Sequence, residues 1–269
     1  MRSTISLKIQ GLRLDLFEKV RYNGVKKGGL IVKRIWSKSL PSIYNTWFHG
    51  ALLQENNYLK YYFFYSSNIF PISDIMFDID SGDIVNCNQN IDDVQKNKEC
   101  YNTRKPPEHY SEDDFIFGEY RITHQGEWGY ACLKNDKLLW KKSLRGYLYT
   151  DIVKNGNRLI FGTAGMGGHF YSLDINSGEI IFDFNTKGTC NFLQINNNIY
   201  FAMSKKKSTI IYRIDYDGNV LESLELEGSR DDYDPIALWD KSIYIVTQSP
   251  KKDVDWETYY PIVHRIALS

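Results

Sequence analysis

The sequence predicts an all-β chain folded as a β-propeller of four-stranded antiparallel blades. Three observations carry that expectation. Aromatic residues make up 15% of the chain, with 20 Tyr, 14 Phe and 6 Trp beside 7 Pro. An Asp–turn–Gly module recurs along the sequence, and strand-like runs of β-branched and aromatic residues flank each copy. Tyr, Phe and Trp suit pleated, half-buried strands, so composition favours sheets before any pattern is read. A length of 269 residues suits one or two domains, but sandwiches, barrels and propellers of this size are often single units.

The repeat is clearest in the second half. Leu159-Ile160-Phe161-Gly162, a glycine-rich loop, Phe170-Tyr171-Ser172-Leu173-Asp174, Gly178 and Ile180-Ile181-Phe182 form one copy. Ile199-Tyr200-Phe201-Ala202, a lysine loop, Ile211-Tyr212-Arg213-Ile214-Asp215, Gly218 and Val220-Leu221 form the next, with Asp174 and Asp215 separated by 215 − 174 = 41 residues. Fainter copies run through Phe77-Asp78, Gly82 and Ile84-Val85, and through Tyr130-Ala131-Cys132-Leu133 and Leu138-Leu139-Trp140. Strand pairs bounded by Asn, Asp and Gly are hairpin signals. A four-stranded unit recurring at about 40 to 45 residues marks a propeller blade. The last copy, Val263-His264-Arg265-Ile266, ends after its third strand, while Trp36-Ser37-Lys38-Ser39-Leu40 near the start matches Trp140-Lys141-Lys142-Ser143-Leu144 after an outer strand. An N-terminal strand is therefore expected to complete the last blade and close the ring. The units fall at 1–36 (closing strand or partial blade), 37–88, 108–144, 145–185, 189–227 and 235–269. Five or six blades fit, and strand-like material in 3–28 favours six.

Phe170-Tyr171-Ser172-Leu173-Asp174-Ile175-Asn176-Ser177-Gly178-Glu179-Ile180-Ile181-Phe182 and Leu138-Leu139-Trp140-Lys141-Lys142 resemble the repeat of PQQ-like, quinoprotein-type β-propellers, over about 110–226. The resemblance implies the fold but not the quinone, because the adjacent-cysteine pair and cation-ligand cluster of the quinoprotein dehydrogenases have no match here. No cofactor is expected.

Charge and targeting signals narrow the function classes. Lys+Arg and Asp+Glu are both 33, a net charge of zero, which argues against a general polyanion binder. The 42% hydrophobic content is incompatible with a wholly disordered chain. Charged residues interrupt the N-terminus too often for a signal-peptide core, and no run is long and apolar enough for a membrane span. Cys87, Cys100, Cys132 and Cys190 form no Cys-x-x-Cys pair. A cytoplasmic monomer with free thiols is expected, a Cys87–Cys100 disulfide being the alternative.

Alternation of hairpins and longer connections predicts two unlike faces. First-to-second and third-to-fourth turns, such as Asn155-Gly156, Asn196-Asn197 and Asp217-Gly218, are short and share one face. Second-to-third loops and links between blades are long, chemically mixed and share the other, where binding is expected. The candidate partner-binding residues there are Trp128, Lys205, Lys206, Lys207, Arg230, Asp231, Asp232, Tyr233, Asp253, Asp255, Trp256 and Tyr259. Trp and Tyr beside charged side chains have the composition of interface hot spots. The histidines lack metal-ligand spacing, His109 near Glu112 and Asp113 reads as a solvated loop, and there is no Gly-x-Ser-x-Gly elbow. The glycines of 162–168 precede a strand and lack the Gly-Lys-Ser/Thr of a P-loop. Neither catalytic nor metal-binding residues are expected. The function expected is a non-catalytic propeller that binds another protein, for instance a bacterial immunity protein masking a toxin, with no nucleic-acid or membrane partner. The alternative is a propeller enzyme or lectin-like module with a carbohydrate in the central channel, its carboxylates drawn from Asp231, Asp232, Asp234, Asp253, Asp255 and Glu257.

Overall fold

The computed structural model describes residues 33–39, 48–65, 71–88, 114–126, 128–165, 167–187, 191–229, 236–239, 241–250 and 259–268. These residues are all β and form five antiparallel sheets. The first holds β2 (Phe48–Glu55), β3 (Tyr58–Tyr65), β4 (Pro71–Asp78) and β5 (Ile84–Asn88) in chain order. The second holds β6 (Phe115–Phe117), β7 (Tyr120–Gln125), β8 (Gly129–Lys134) and β9 (Lys137–Ser143). In the third, β12 (Arg158–Ala164), β13 (His169–Asp174) and β14 (Ile180–Asn185) follow two short inner strands, β10 (Tyr147–Leu148) and β11 (Val153–Asn155), that both pair with β12. The fourth contains β15 (Phe192–Ile195), β16 (Asn198–Ser204), β17 (Ser208–Ile214) and β18 (Val220–Glu227). The fifth contains β19 (Ile236–Trp239), β20 (Ser242–Pro250), β21 (Tyr259–Ala267) and, outermost, β1 (Lys33–Ser39) from the other end of the chain.

These sheets pack face to face. Ile122, Trp140 and Leu144 of the second lie against Leu159, Tyr171 and Ile175 of the third. Ile160 and Phe170 meet Ile199, Phe201 and Ile214 across the next junction. Ile211 and Leu226 pack on Ile243, Ile245 and Ile266. Tyr244, Val246 and Val263 then pack on Leu59, Ile75 and Phe77 of the first sheet. Successive four-stranded sheets stacked by their faces make this a β-propeller.

Among the described residues, aromatic rings cluster in these junctions. Tyr130 stacks on Phe161 and Phe161 lies against Tyr171, with centroids 5.2 and 5.7 Å apart. Phe170 gathers Phe182, Phe192 and Phe201 within 5.3 Å. Offset and tilted ring pairs at this spacing add about 0.5–1.5 kcal/mol each beyond their buried area.

The repeated Asp–turn–Gly module acts as a peg between neighbouring sheets. The Asp78 carboxylate accepts the amides of Asp80 (3.1 Å) and Ser81 (2.8 Å), and Asp174 does the same for Asn176 and Ser177 at 2.9 Å. Short polar side chains closing their own turns in this way explain the Asp at each copy. Gly82 and Gly178 sit at φ +73° and +70°, where a Cβ would lie 2.7 Å from the Trp36 or Trp140 ring respectively. Each indole N–H donates to the carbonyl just after the Asp: Trp36 to Ile79 at 3.0 Å and Trp140 to Ile175 at 2.9 Å. At Gly218 the neighbour is Phe182, whose Cβ and ring lie 2.7 and 2.9 Å from a notional Cβ.

One device was not visible in the sequence. Every pairing between a third and a fourth strand carries a register shift, at Met76/Phe77, Cys132/Leu133, Ser172/Leu173 and Arg213/Ile214. The β1–β21 pair carries the same shift at Arg34/Trp36. β1 is thus a fourth strand in every geometric respect, although it runs to Ser39 and so past the boundary expected at 36. The six-blade preference has no counterpart among the described residues, which form five sheets; residues 3–28 lie outside them.

Candidate interaction face

Antiparallel order places the two kinds of connection at opposite ends of the strands. At one end the turns are tight, with Asn56, Asn135, Asp136, Asn196 and Asn197 at positive φ. Backbone bonds tie these turns together across four of the five sheets: Ile79 N–H to Asn57 O, Asn135 N–H to Glu119 O, Ile175 N–H to Asn157 O and Leu268 N–H to Lys241 O. At the other end lie the second-to-third loops and the links between sheets.

Trp128 belongs to the β7–β8 loop, is 47% exposed, and is fixed by its carbonyl, which accepts the Leu144 amide at 2.9 Å. Lys205, Lys206 and Lys207 form the exposed tip of the β16–β17 hairpin, closed by Lys205 N–H to Ser208 O at 2.7 Å. The strand pairings set Trp128 and the three lysines at the same end of their sheets. Tyr259 opens β21 opposite Pro250. Arg230, Asp231, Asp232, Tyr233, Asp253, Asp255 and Trp256 lie outside the described residues.

The structure also presents groups that the sequence did not single out. Arg145 is exposed in the link between β9 and β10, and its amide donates to Tyr171 Oη at 3.1 Å. Beneath it, His169 is stacked on Tyr171 with 7° between ring planes and its Nδ1 is paired with the Asp183 carboxylate. Its Nε2 is buried and has no hydrogen-bond partner among the described residues. Tyr130 is buried one layer further in, and burial pushes its phenol well above the usual range, Tyr171 adding to the effect. Nothing in local sequence signals this layer, because its members come from three strands and a link.

A second histidine tests the catalytic alternative. His264 is wholly buried, with Ser37 Oγ 2.7 Å from Nδ1 and Thr247 Oγ1 2.8 Å from Nε2. The Thr247 hydroxyl donates to Glu227 O at 2.6 Å, so it must accept from Nε2–H, leaving Nδ1 to accept from Ser37. A serine donating to histidine is the start of a nucleophilic pair. Here burial, then the Arg34 charge, lowers the His264 pKa to about 3, too weak a base near neutrality. Among the described residues no carboxylate bonds the ring, whose two nitrogens meet Ser37 and Thr247. The arrangement is a tether joining β1, β21, β20 and the end of β18. No group of three metal-ligating side chains occurs among the described residues, and none of their helices is long and apolar enough to cross a membrane. Cys132 is a free, buried thiol whose pKa burial raises to about 11.

No family model matches the chain, and no curated protein matches it. Solved structures similar to it include BamB from Moraxella catarrhalis, at 10% identity and a TM-score of 0.38, over 81% of this chain and 58% of that one. The WD40 β-propeller domain of Doa1 gives 10% and 0.38, over 81% and 63% of the two chains. The WD40 domain of Toxoplasma gondii coronin gives 6% and 0.37, over 89% and 88%. The chain spans less than two thirds of the length of the first two.

Proposed function

We propose that this chain is a non-catalytic, cytoplasmic and monomeric propeller that binds another protein through its loop-bearing face. The ring has five blades of the quinoprotein-like repeat type, and β1 closes it. One observation carries the reading: Trp128, held by its backbone yet half exposed, shares a face with the exposed lysines 205–207, while the opposite face is closed by short turns. An exposed aromatic and exposed charges on one face are how hot spots combine affinity with steering. In this reading Arg230, Asp231, Asp232, Tyr233, Asp253, Asp255, Trp256 and Tyr259 extend the same face, and the partner is a toxin domain that the propeller masks.

Affinity capture from the native cell should return a stoichiometric partner, lost with Trp128→Ala and weakened at least tenfold in K205E/K206E/K207E at unchanged melting temperature. Coexpression with a toxic partner should restore growth only for the wild type. No captured protein together with a specific glycan-array hit would replace this reading with the carbohydrate alternative.

A further inference from the structure

Resting on the protein-binding reading of the loop face, we infer that Arg145 is its anion-recognising anchor, taking a carboxylate side chain of the protein partner beside an apolar group that lies on Trp128. Arg121, Arg158, Arg213 and Arg265 each engage a carboxylate of this chain. Arg145 is exposed and has no ion-pair partner among the described residues. Its backbone, by contrast, is held at every polar atom. The amide donates to Tyr171 Oη at 3.1 Å and the carbonyl accepts from Thr163 Oγ1 at 2.9 Å, and both partners are buried. On one side, Leu144 N–H binds Trp128 O at 2.9 Å. On the other, Gly146 turns at φ +79° with Thr163 Oγ1 only 2.6 Å from where a Cβ would stand.

A pinned backbone under a free guanidinium lowers the ordering cost of binding, and the guanidinium fork matches a carboxylate with two parallel bonds. The nearby Asp183 carboxylate does not fill that role, since His169 occupies it. Lys187 and Lys205 to Lys207 are further exposed cations at the same end of the strands. A neutral chain with so few clustered cations favours a protein carboxylate over a nucleic-acid backbone.

The defined probe is a fluorescein-labelled random Glu/Tyr copolymer, titrated by anisotropy against the full chain. Wild type should bind it in the micromolar range. Arg145→Ala and Arg145→Lys should each weaken binding at least tenfold at unchanged melting temperature, while Lys137→Ala, at the opposite end of the sheet, changes nothing. Equal binding by Arg145→Ala, no binding by wild type, or equal binding of poly(U) RNA would overturn the assignment. Capture from cells separates the two proposals: a partner that Arg145→Ala retains sinks the anchor and spares the protein-binding reading, whereas failure to capture any protein sinks both.

Discussion

Two junctions of the molecule answer one packing problem with different parts. In both, an indole covers the glycine of a neighbouring turn and donates to the carbonyl behind its Asp. Trp140 sits on β9, joined to its partner strand β8 by a two-residue turn. Trp36 sits on β1, whose pairing with β21 spans sequence separations such as the 227 residues between Ser37 and His264. The third strands differ accordingly. Opposite Trp140 stands Cys132, whose thiol reaches Ile175 O at 3.5 Å. Opposite Trp36 stands Arg265, whose guanidinium donates to Ile79 O at 2.6 Å and Asp80 at 3.0 Å. A hairpin keeps its strands together at small loop-closure cost, whereas a strand recruited from the far end of the chain meets a larger one. The charge-assisted clamp and the His264 tether stand where connectivity does not help.

The largest test removes the indoles. Trp140→Ala should destabilise by about 3–5 kcal/mol, the range for a large buried aromatic. Trp36→Ala should cost less, about 2–3 kcal/mol, because its ring is only half buried and Arg265 keeps the Ile79 carbonyl satisfied. Urea unfolding at 25 °C reads both, and a greater loss for Trp36 would reverse the comparison.

The glycines come next. Gly178→Ala should cost about 2 kcal/mol through its positive φ and the clash with Trp140. In the Trp140→Ala background only the backbone share, about 1 kcal/mol, should remain. An unchanged cost there would mean that the ring does not press on the turn.

Acid between about pH 7.5 and 5 probes the His264 tether of the closing strand. Folded His264 stays neutral down to a pKa of about 3, while the unfolded residue takes a proton below its ordinary 6.5. Its contribution is intact above pH 6.5 and is lost as pH falls toward 3, by about 2 kcal/mol between pH 7.5 and 5. His264→Gln should remove this share of the acid sensitivity while Trp140→Ala keeps it; an unchanged pH slope in His264→Gln would exclude the tether as its source.

The strands, their hairpins and the matching of Trp36 with Trp140 were legible because each is written in a few adjacent residues. The separation of faces followed from alternation. The site was less legible. Trp128 and Lys205 to Lys207 were readable as loop residues, whereas Arg145 looked like any other link residue. Its exposure without an ion pair, above Tyr171 and Thr163, arises only when β9, β12 and β13 come together.

By itself the sequence determined the repeated unit, since period-two patterning, Asp-closed turns and glycines at positive φ act locally. Tertiary structure decided which carbonyl each indole meets, that Arg265 and Cys132 hold equivalent stations, and that one buried histidine is a tether while another pairs with Asp183. Those outcomes depend on groups far apart in the chain, whose energies exist only once packing has excluded water between them.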